Sequence, residues 1–171
     1  MTRTKCVFDI EADGLYREAT KIHCIVIKDL QTNEVFKYYD QSLSSATDKL
    51  DEYEELIGHN IAGYDLQMLL KHMNWSPKVG VKITDTLIIS KLTSPDRELP
   101  PGCPVLIPNP VTGKNDRIGP QGLHSWGYRV AKAKPVIHQW AVFNEEMLER
   151  CVSDVEINHR VFNRLLEEMK S

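Results

Sequence analysis

Residues 4–14, "TKCVFDIEADG", decide the fold, because an apolar strand here ends in two acids, Asp9 and Glu11. Side chains two positions apart on a strand point to the same face, so the two carboxylates project together. Gly14 follows and is expected to let the chain turn sharply. Taken alone, the stretch is either a solvated strand end or the first half of a metal site, and the rest of the chain has to distinguish the two.

Composition limits the class of protein. The chain has 171 residues, 42% of them hydrophobic, which suits one domain with its own core. Its net charge of −3 argues against binding nucleic acid through bulk positive charge. The four cysteines stand far apart, unlike those of a zinc ribbon, and fit reduced thiols. The sequence has neither a signal-peptide pattern nor an apolar run near the ~20 residues of a membrane span. We expect a cytoplasmic, monomeric domain without membrane contact.

Hydrophobic periodicity and turn signals predict the order of elements. Strands are predicted over residues 4–9, 21–28, 34–39, about 56–60 and 82–84. Helices are predicted after a Ser45 cap to about residue 56, over 64–73, over 86–92 after an Asp85 cap, over 123–131, and from an Asn144 cap to the end. This order predicts an α/β domain with a central mixed sheet and flanking helices.

Residues 94–122 interrupt the pattern. They contain seven of the nine prolines and four of the nine glycines. Such a composition predicts an irregular loop or flap rather than helices and strands. The segment is either an unused insertion or a part of the site.

Two further acids join the pair on the first strand. Asp65 begins a helix after the loop "GHNIAGYD", and Asp154 lies inside the last helix beside its apolar stripe. A buried aspartate is costly unless it is paired or binds a metal, and Arg150, one turn earlier, is the obvious partner for Asp154. Four carboxylates suit Mg²⁺ or Mn²⁺. Together they predict a site in which two divalent cations cleave a phosphodiester.

The motifs "DIEADG" (9–14), "HNIAGYD" (59–65) and "RCVSD" (150–154) stand in the order and spacing of three exonuclease motifs. On them the chain resembles the DEDD superfamily of 3′–5′ exonucleases. It is most similar to the proofreading exonuclease domains of family A DNA polymerases of short-tailed bacteriophages. The likeness runs from residue 5 to about 168. It implies an RNase H-like fold and a single exonuclease domain over residues 1–171.

The resemblance also implies roles for individual residues. It implies that the four acids, Asp9, Glu11, Asp65 and Asp154, are catalytic metal ligands. It implies contacts with the terminal nucleotide for Leu15 as a wedge, for Asn60, and for the backbone between Ala12 and Gly14.

Trp126 and Tyr128 are candidates for base stacking, but the helical pattern around them favours packing in the core. His23 lies in a strand and is interpreted as structural.

One position departs from the family pattern. Members carry a tyrosine four residues before the last acid, or a histidine five before it, to orient or deprotonate the attacking water. This chain has Arg150 and Glu149 there, and arginine cannot act as a base at neutral pH. Arg150 could hold the phosphate or lock Asp154 in an ion pair. A third alternative is that His138 or His159 supplies the base.

The sequence therefore predicts a metal-dependent 3′–5′ exonuclease that acts on single-stranded DNA ends and works beside a separate DNA polymerase, or as a piece of one. If the chain is phage-encoded, it would act in the host bacterial cytoplasm. Two alternatives stay open. Arg150 favours a weak or inactive module that binds nucleic acid or a polymerase, and nothing in the sequence rejects an exonuclease that trims RNA.

Overall fold

A mixed sheet organises the domain in the computed structural model, which describes residues 4–171. Within that range the main sheet has the order β3-β2-β1-β4-β5. The first strand is antiparallel to the second and parallel to the fourth. The strands are β1 (Lys5–Ala12), β2 (Ile22–Asp29), β3 (Val35–Tyr39), β4 (Glu55–Gly58) and β5 (Lys82–Asp85). The predicted mixed sheet is confirmed.

Helices cover both faces of the sheet. They are α1 (Ala46–Leu50), α2 (Asp65–Met73), α3 (Thr86–Thr93), α4 (Leu123–Arg129) and α5 (Glu145–Glu168). The caps predicted at Asp85 and Asn144 are confirmed, since Asp85 accepts a hydrogen bond from Leu87 N and Asn144 accepts one from Met147 N. Among the residues that the structure describes, no helix has the length and apolar character needed to cross a membrane.

The helix predicted after Ser45 begins at Ala46 as expected, but it ends well before residue 56. A short 3₁₀ helix, Asp40–Ser45, precedes it, and the side chain of Ser42 rather than Ser45 bonds the backbone where this turn begins. The helix then ends at Leu50, because the chain must reach β4 at Glu55. The acidic run that looked helical therefore contains a turn and the start of a buried strand.

Alternation along β1 decides where the acids point. Phe8 and Ile10 face a core that also contains Met68 and Leu69 of α2, whereas Val7 faces a second core with Cys151 and other residues of α5. Asp9 and Glu11 share the face of Val7, because side chains of a strand alternate. The strand therefore directs both carboxylates towards α5.

The segment 94–122 is mainly irregular, as predicted, but it contains a hairpin of two short antiparallel strands, β6 (Leu106–Pro108) and β7 (Asn115–Arg117). Side chains tie the segment to the body of the domain. Ser90 Oγ of α3 donates to Gln121 Oε1, and Arg97 forms an ion pair with Glu168 of α5 at 2.7 Å. The hairpin is thus carried by an anchored segment rather than by a free loop.

Candidate active site

Strand β1 and helix α5 bring three of the predicted acids together. Asp9, Glu11 and Asp154 each offer a carboxylate oxygen, and these oxygens lie within 4.8 Å of one another. Glu11 and Asp154 are buried, with 7% and 4% of their surface exposed. The helix is fixed at this position because its apolar face, including Cys151 and Val155, packs on the sheet beside β1.

The fourth acid, Asp65, is held next to the other three. It is the first residue of α2, and its Oδ1 accepts a hydrogen bond of 3.1 Å from the Ile10 backbone N. The loop before it is held by Asp85, which accepts hydrogen bonds from Asn60 N at 2.9 Å and Ala62 N at 3.3 Å. Gly63 lets Asn60 fold back against this loop, because a Cβ there would lie 2.5 Å from Asn60 Oδ1. All four predicted acids therefore meet at one place.

Burial and mutual repulsion make it unfavourable for all of these acids to be ionised together. Burial raises the pKa of Asp9 to about 7, and the charge of Asp154 adds to the effect. Burial, followed by the charge of Asp9, raises the pKa of Glu11 and of Asp65 well above the usual range. Among the described residues, Asp154 Oδ1 is buried and has no hydrogen-bond partner. Converging hard oxygens and an unpaired carboxylate oxygen fit a divalent cation such as Mg²⁺.

Two cations of the chain contact these acids. Lys134 Nζ lies 2.7 Å from Asp154 Oδ2, and the lysine side chain is only 15% exposed. Arg150 Nε lies 3.5 Å from Glu11 Oε1 and 4.0 Å from Asp154 Oδ2. Arg150 therefore reaches Asp154 as predicted, but at the limit of an ion pair, and Lys134 is the closer cation. Sequence reasoning missed Lys134, since no periodic pattern marks the irregular stretch between α4 and α5.

The connection that carries Lys134 is fixed by close contacts with its surroundings. Gly127 of α4 approaches it so closely that a Cβ would lie 2.6 Å from Lys132 O. Ser153 Oγ donates to Ala133 O at 3.1 Å. Further along, the ring of the buried His23 bonds the Trp140 carbonyl at 2.6 Å, which gives this histidine a structural contact. The lysine is thus held in place by the helices on either side.

Only some of the residues predicted to contact the terminal nucleotide line the cleft. Leu15, which is 73% exposed, and Asn60 line the cleft that contains the four acids. Ala12 is buried, and neither Ala12 nor Gly14 is among the residues that line this cleft. Gly14 is also not required for the turn, because its φ is not left-handed and a Cβ would make only ordinary contacts with Glu18 and Ala19. The side chain of Asp13 holds the turn instead, accepting from Thr20 N at 2.8 Å.

The candidate bases lie elsewhere. His138 is exposed and pairs with Glu146 at 3.0 Å, and neither His138 nor His159 is among the cleft-lining residues. His59 does line the cleft, and burial lowers its pKa to about 4, which keeps the ring neutral.

Trp126 and Tyr128, both predicted to pack in the core, differ in exposure. Trp126 is fully buried as predicted, whereas Tyr128 is 46% exposed, so the packing prediction is wrong for Tyr128.

Sequence relatives agree with this geometry. Over 95% of its length the chain is 27% identical to the DNA-directed DNA polymerase of Escherichia phage T7, and 27% identical to that of Enterobacteria phage T3. It spans about a quarter of these relatives, covering 26% of each. The predicted resemblance to DEDD exonucleases is confirmed. No protein-family model matches the chain.

Solved structures show the same fold. Brucella melitensis NrnC with bound Mg²⁺ aligns with a TM-score of 0.61 at 20% identity, covering 97% of this chain and 73% of that one. Escherichia coli RNase D, an exoribonuclease, aligns with a TM-score of 0.62 at 14% identity, covering 97% of this chain and 40% of that one. These neighbours confirm the predicted RNase H-like fold class. With the phage polymerases, they support the prediction of an enzyme of the DEDD exonuclease class.

Proposed function

We propose that the chain is a metal-dependent 3′–5′ exonuclease that removes nucleoside monophosphates from single-stranded DNA ends. One observation carries the proposal: four acids from three separate elements converge at one cleft, and their burial is explained by neither packing nor a full set of ion pairs. Burying several acids together destabilises a folded protein. Such arrangements are typical of sites that bind a ligand or catalyse a reaction.

Asp9, Glu11, Asp65 and Asp154 would hold two divalent cations, Mg²⁺ or Mn²⁺. When bound, these cations would supply an acidified water and stabilise the charge on the leaving oxygen. In the overall reaction, water adds to the terminal phosphate, the bond to the 3′ oxygen of the preceding nucleotide breaks, and that oxygen receives a proton. The products are a nucleoside monophosphate and a shortened strand.

Lys134 and Arg150 take the role of phosphate ligands in this proposal. Both lie at the cleft with their charged groups among the acids. Charge-assisted hydrogen bonds from lysine and arginine to phosphate oxygens are strong, and they gain strength where water is excluded. Arg150 thus stands where the family's tyrosine would stand, but it binds phosphate rather than orienting water. Leu15 and Asn60, which also line the cleft, would contact the terminal nucleotide.

The test is a degradation assay with a 5′-labelled single strand in Mg²⁺ or Mn²⁺. We expect stepwise shortening by the wild type and none by Asp65→Ala, a variant that removes one acid and its bond to Ile10 N. Addition of EDTA should stop the wild-type reaction. If neither metal supports shortening at high enzyme concentration, the proposal is wrong.

DNA rather than RNA is proposed because the sequence relatives, at 27% identity, are DNA polymerases. The RNA-trimming alternative is motivated by the exoribonuclease RNase D among the structural neighbours. Matched DNA and RNA strands, assayed side by side, distinguish the two. Faster cleavage of RNA would overturn the proposed substrate.

A binding module without activity is the second candidate, because Lys134 and Arg150 already offset part of the acidic charge. Arg150→Tyr restores the residue type that the resemblance expects. If Arg150→Tyr cleaves faster than the wild type, this result supports an exonuclease in which Arg150 is a poor substitute for the tyrosine. Binding of single strands without cleavage, by wild type and Arg150→Tyr alike, would support the module. A separate DNA polymerase remains the proposed partner in either case.

A further inference from the structure

The loop that joins β1 to β2, residues 13–21, forms part of the cleft. Its Leu15 lines the cleft and is 73% exposed, and the next residue, Tyr16, is 42% exposed. Within the loop only Ala19 is buried. A segment with so little buried apolar surface has low local stability unless polar contacts hold it. The position of Leu15 therefore depends on the bonds that the loop makes with the rest of the domain.

Three carbonyl groups of this loop accept hydrogen bonds from side chains at helix α2. Tyr64 Oη, just before the helix, donates to Gly14 O at 2.9 Å. Lys71, in the last turn of the helix, donates through Nζ to Tyr16 O at 2.7 Å and to Ala19 O at 2.9 Å. The same ammonium group lies 5.2 Å from the centre of the Tyr16 ring. Because hydrogen bonds from a charged donor are stronger than those from a neutral one, Lys71 is the main tie between the helix and the loop.

Helix α2 gives this tie a rigid support. Its first residue, Asp65, accepts a hydrogen bond from the Ile10 backbone N at 3.1 Å, and Met68 and Leu69 are fully buried in the core. One end of the helix thus carries a member of the acid cluster, and the other end carries the lysine that holds the loop. The helix therefore links the position of Leu15 to that of the acids.

We propose that Lys71 is a positioning residue, which holds the loop so that Leu15 meets a bound strand at a fixed place. Lys71 is not among the residues that line the cleft, so it acts through the loop rather than on the substrate. Without it, the strand would have to order the loop and the leucine as it binds, which lowers affinity. The inference rests on the proposed exonuclease function and deepens it, because it assigns part of the binding of the strand to a residue outside the cleft.

Steady-state kinetics in Mg²⁺ separate binding from the chemical step. Lys71→Met keeps the stem of the side chain and removes its donors. We expect it to raise the KM for a single strand about tenfold and to leave kcat nearly unchanged, because the acid cluster is intact. Lys78→Met, which removes an exposed lysine paired with Asp51, is the matched control and should leave both constants unchanged. A fall in kcat with an unchanged KM would overturn the inference, and so would no change in either constant.

A double-mutant cycle tests whether Lys71 acts through Leu15. Leu15→Ala removes the side chain that the loop presents to the cleft. If Lys71 positions that side chain, Lys71→Met should raise KM about tenfold in the wild type but less than about twofold in Leu15→Ala. A general structural contribution of Lys71 would have the same effect in both backgrounds. Equal effects would therefore overturn the inference.

Limited proteolysis in EDTA tests the tie without any catalysis. The exposed Arg17 places a trypsin site in the loop. We expect trypsin to cut after Arg17 several-fold faster in Lys71→Met than in the wild type or Lys78→Met, because the loop opens more often. Mass spectrometry of the fragments identifies the cut. If this difference is found but the wild type never cleaves DNA, only the proposed function is wrong. If the wild type cleaves DNA and trypsin cuts Lys71→Met at the wild-type rate, only the inference on Lys71 is wrong.

Discussion

The two sides of the cleft are built in different ways. The acidic side stands on regular elements: Asp9 and Glu11 on β1, Asp65 at the start of α2, and Asp154 in α5. The basic side depends on Lys134, in an irregular connection held by side-chain bonds and one close helix contact. Main-chain hydrogen bonds of the sheet and helices, with the apolar packing of α5 on the sheet, place the carboxylates, whereas side-chain bonds and one close helix contact place the lysine beside them.

This difference has an electrostatic consequence. Four acids meet two cations, so half of their formal charge is unbalanced within the cleft. The lysine and arginine make the cluster tolerable in a folded protein, and the remaining charge draws in divalent cations. We expect substitutions on the acidic side to lower mainly the cleavage rate. Substitutions on the basic side should lower both the cleavage rate and the stability of the metal-free protein.

The largest effect is expected from the acidic side. Asp154→Asn keeps the shape of the side chain and removes its charge, so it should lower the rate of strand shortening about 10³-fold, as removal of a key electrostatic group does. The rate is measured with the 5′-labelled strand in Mg²⁺. Asp48→Asn, which changes an exposed acid of α1, is the control and should cleave normally. A loss of less than about tenfold would contradict the assignment of Asp154 as a metal ligand.

The basic side is tested by Lys134→Met, which keeps the stem and removes the charge. In EDTA it leaves Asp154 buried without its closest cation, so the free energy of unfolding should fall by about 3 kcal/mol. Mg²⁺ should restore much of this loss, because the metal replaces the missing charge. Denaturant unfolding with and without Mg²⁺ measures both. Lys91→Met, at an exposed position of α3, should be neutral in each buffer. An equal loss with and without Mg²⁺ would show that Lys134 acts only in packing.

The same difference explains what the sequence could predict. Asp9 and Glu11 were predictable because strand alternation sends residues i and i+2 to one face, and Asp65 because it starts a periodic helix. Lys134 was not, because no local pattern records that Ser153 bonds Ala133 or that α4 approaches Lys132. For the same reason the sequence indicated an irregular segment over 94–122 but not its hairpin.

A smaller effect is expected from Gly127→Ala, which tests how the basic side is positioned. The new Cβ would lie 2.6 Å from Lys132 O, so α4 and the connection must separate. We expect a loss of stability of about 1–3 kcal/mol and weaker cleavage as Lys134 moves. Gly119→Ala is the matched control, since a Cβ there meets nothing within 4 Å. Thermal unfolding and the cleavage rate are compared for both. If the two variants are equally stable, the close contact does not hold the connection.

The smallest effect concerns the pH dependence of the metal-free protein. Burial, with the charge of Asp154, raises the pKa of Asp9 from 3.8 to about 7 in the folded state. Between these values the folded protein binds more protons than the unfolded chain, so stability falls as pH rises through this window. In EDTA, the wild type should therefore lose more stability between pH 5 and pH 8 than Asp9→Asn, in which this group does not titrate. Mg²⁺ should stabilise the wild type more at pH 8 than at pH 5, because the ligands must be deprotonated. Thermal unfolding of both proteins at both pH values measures the difference. Identical slopes for the two proteins in EDTA would mean that Asp9 is already ionised at low pH, and that Lys134 and Arg150 balance the acidic side of the cleft more fully than their distances indicate.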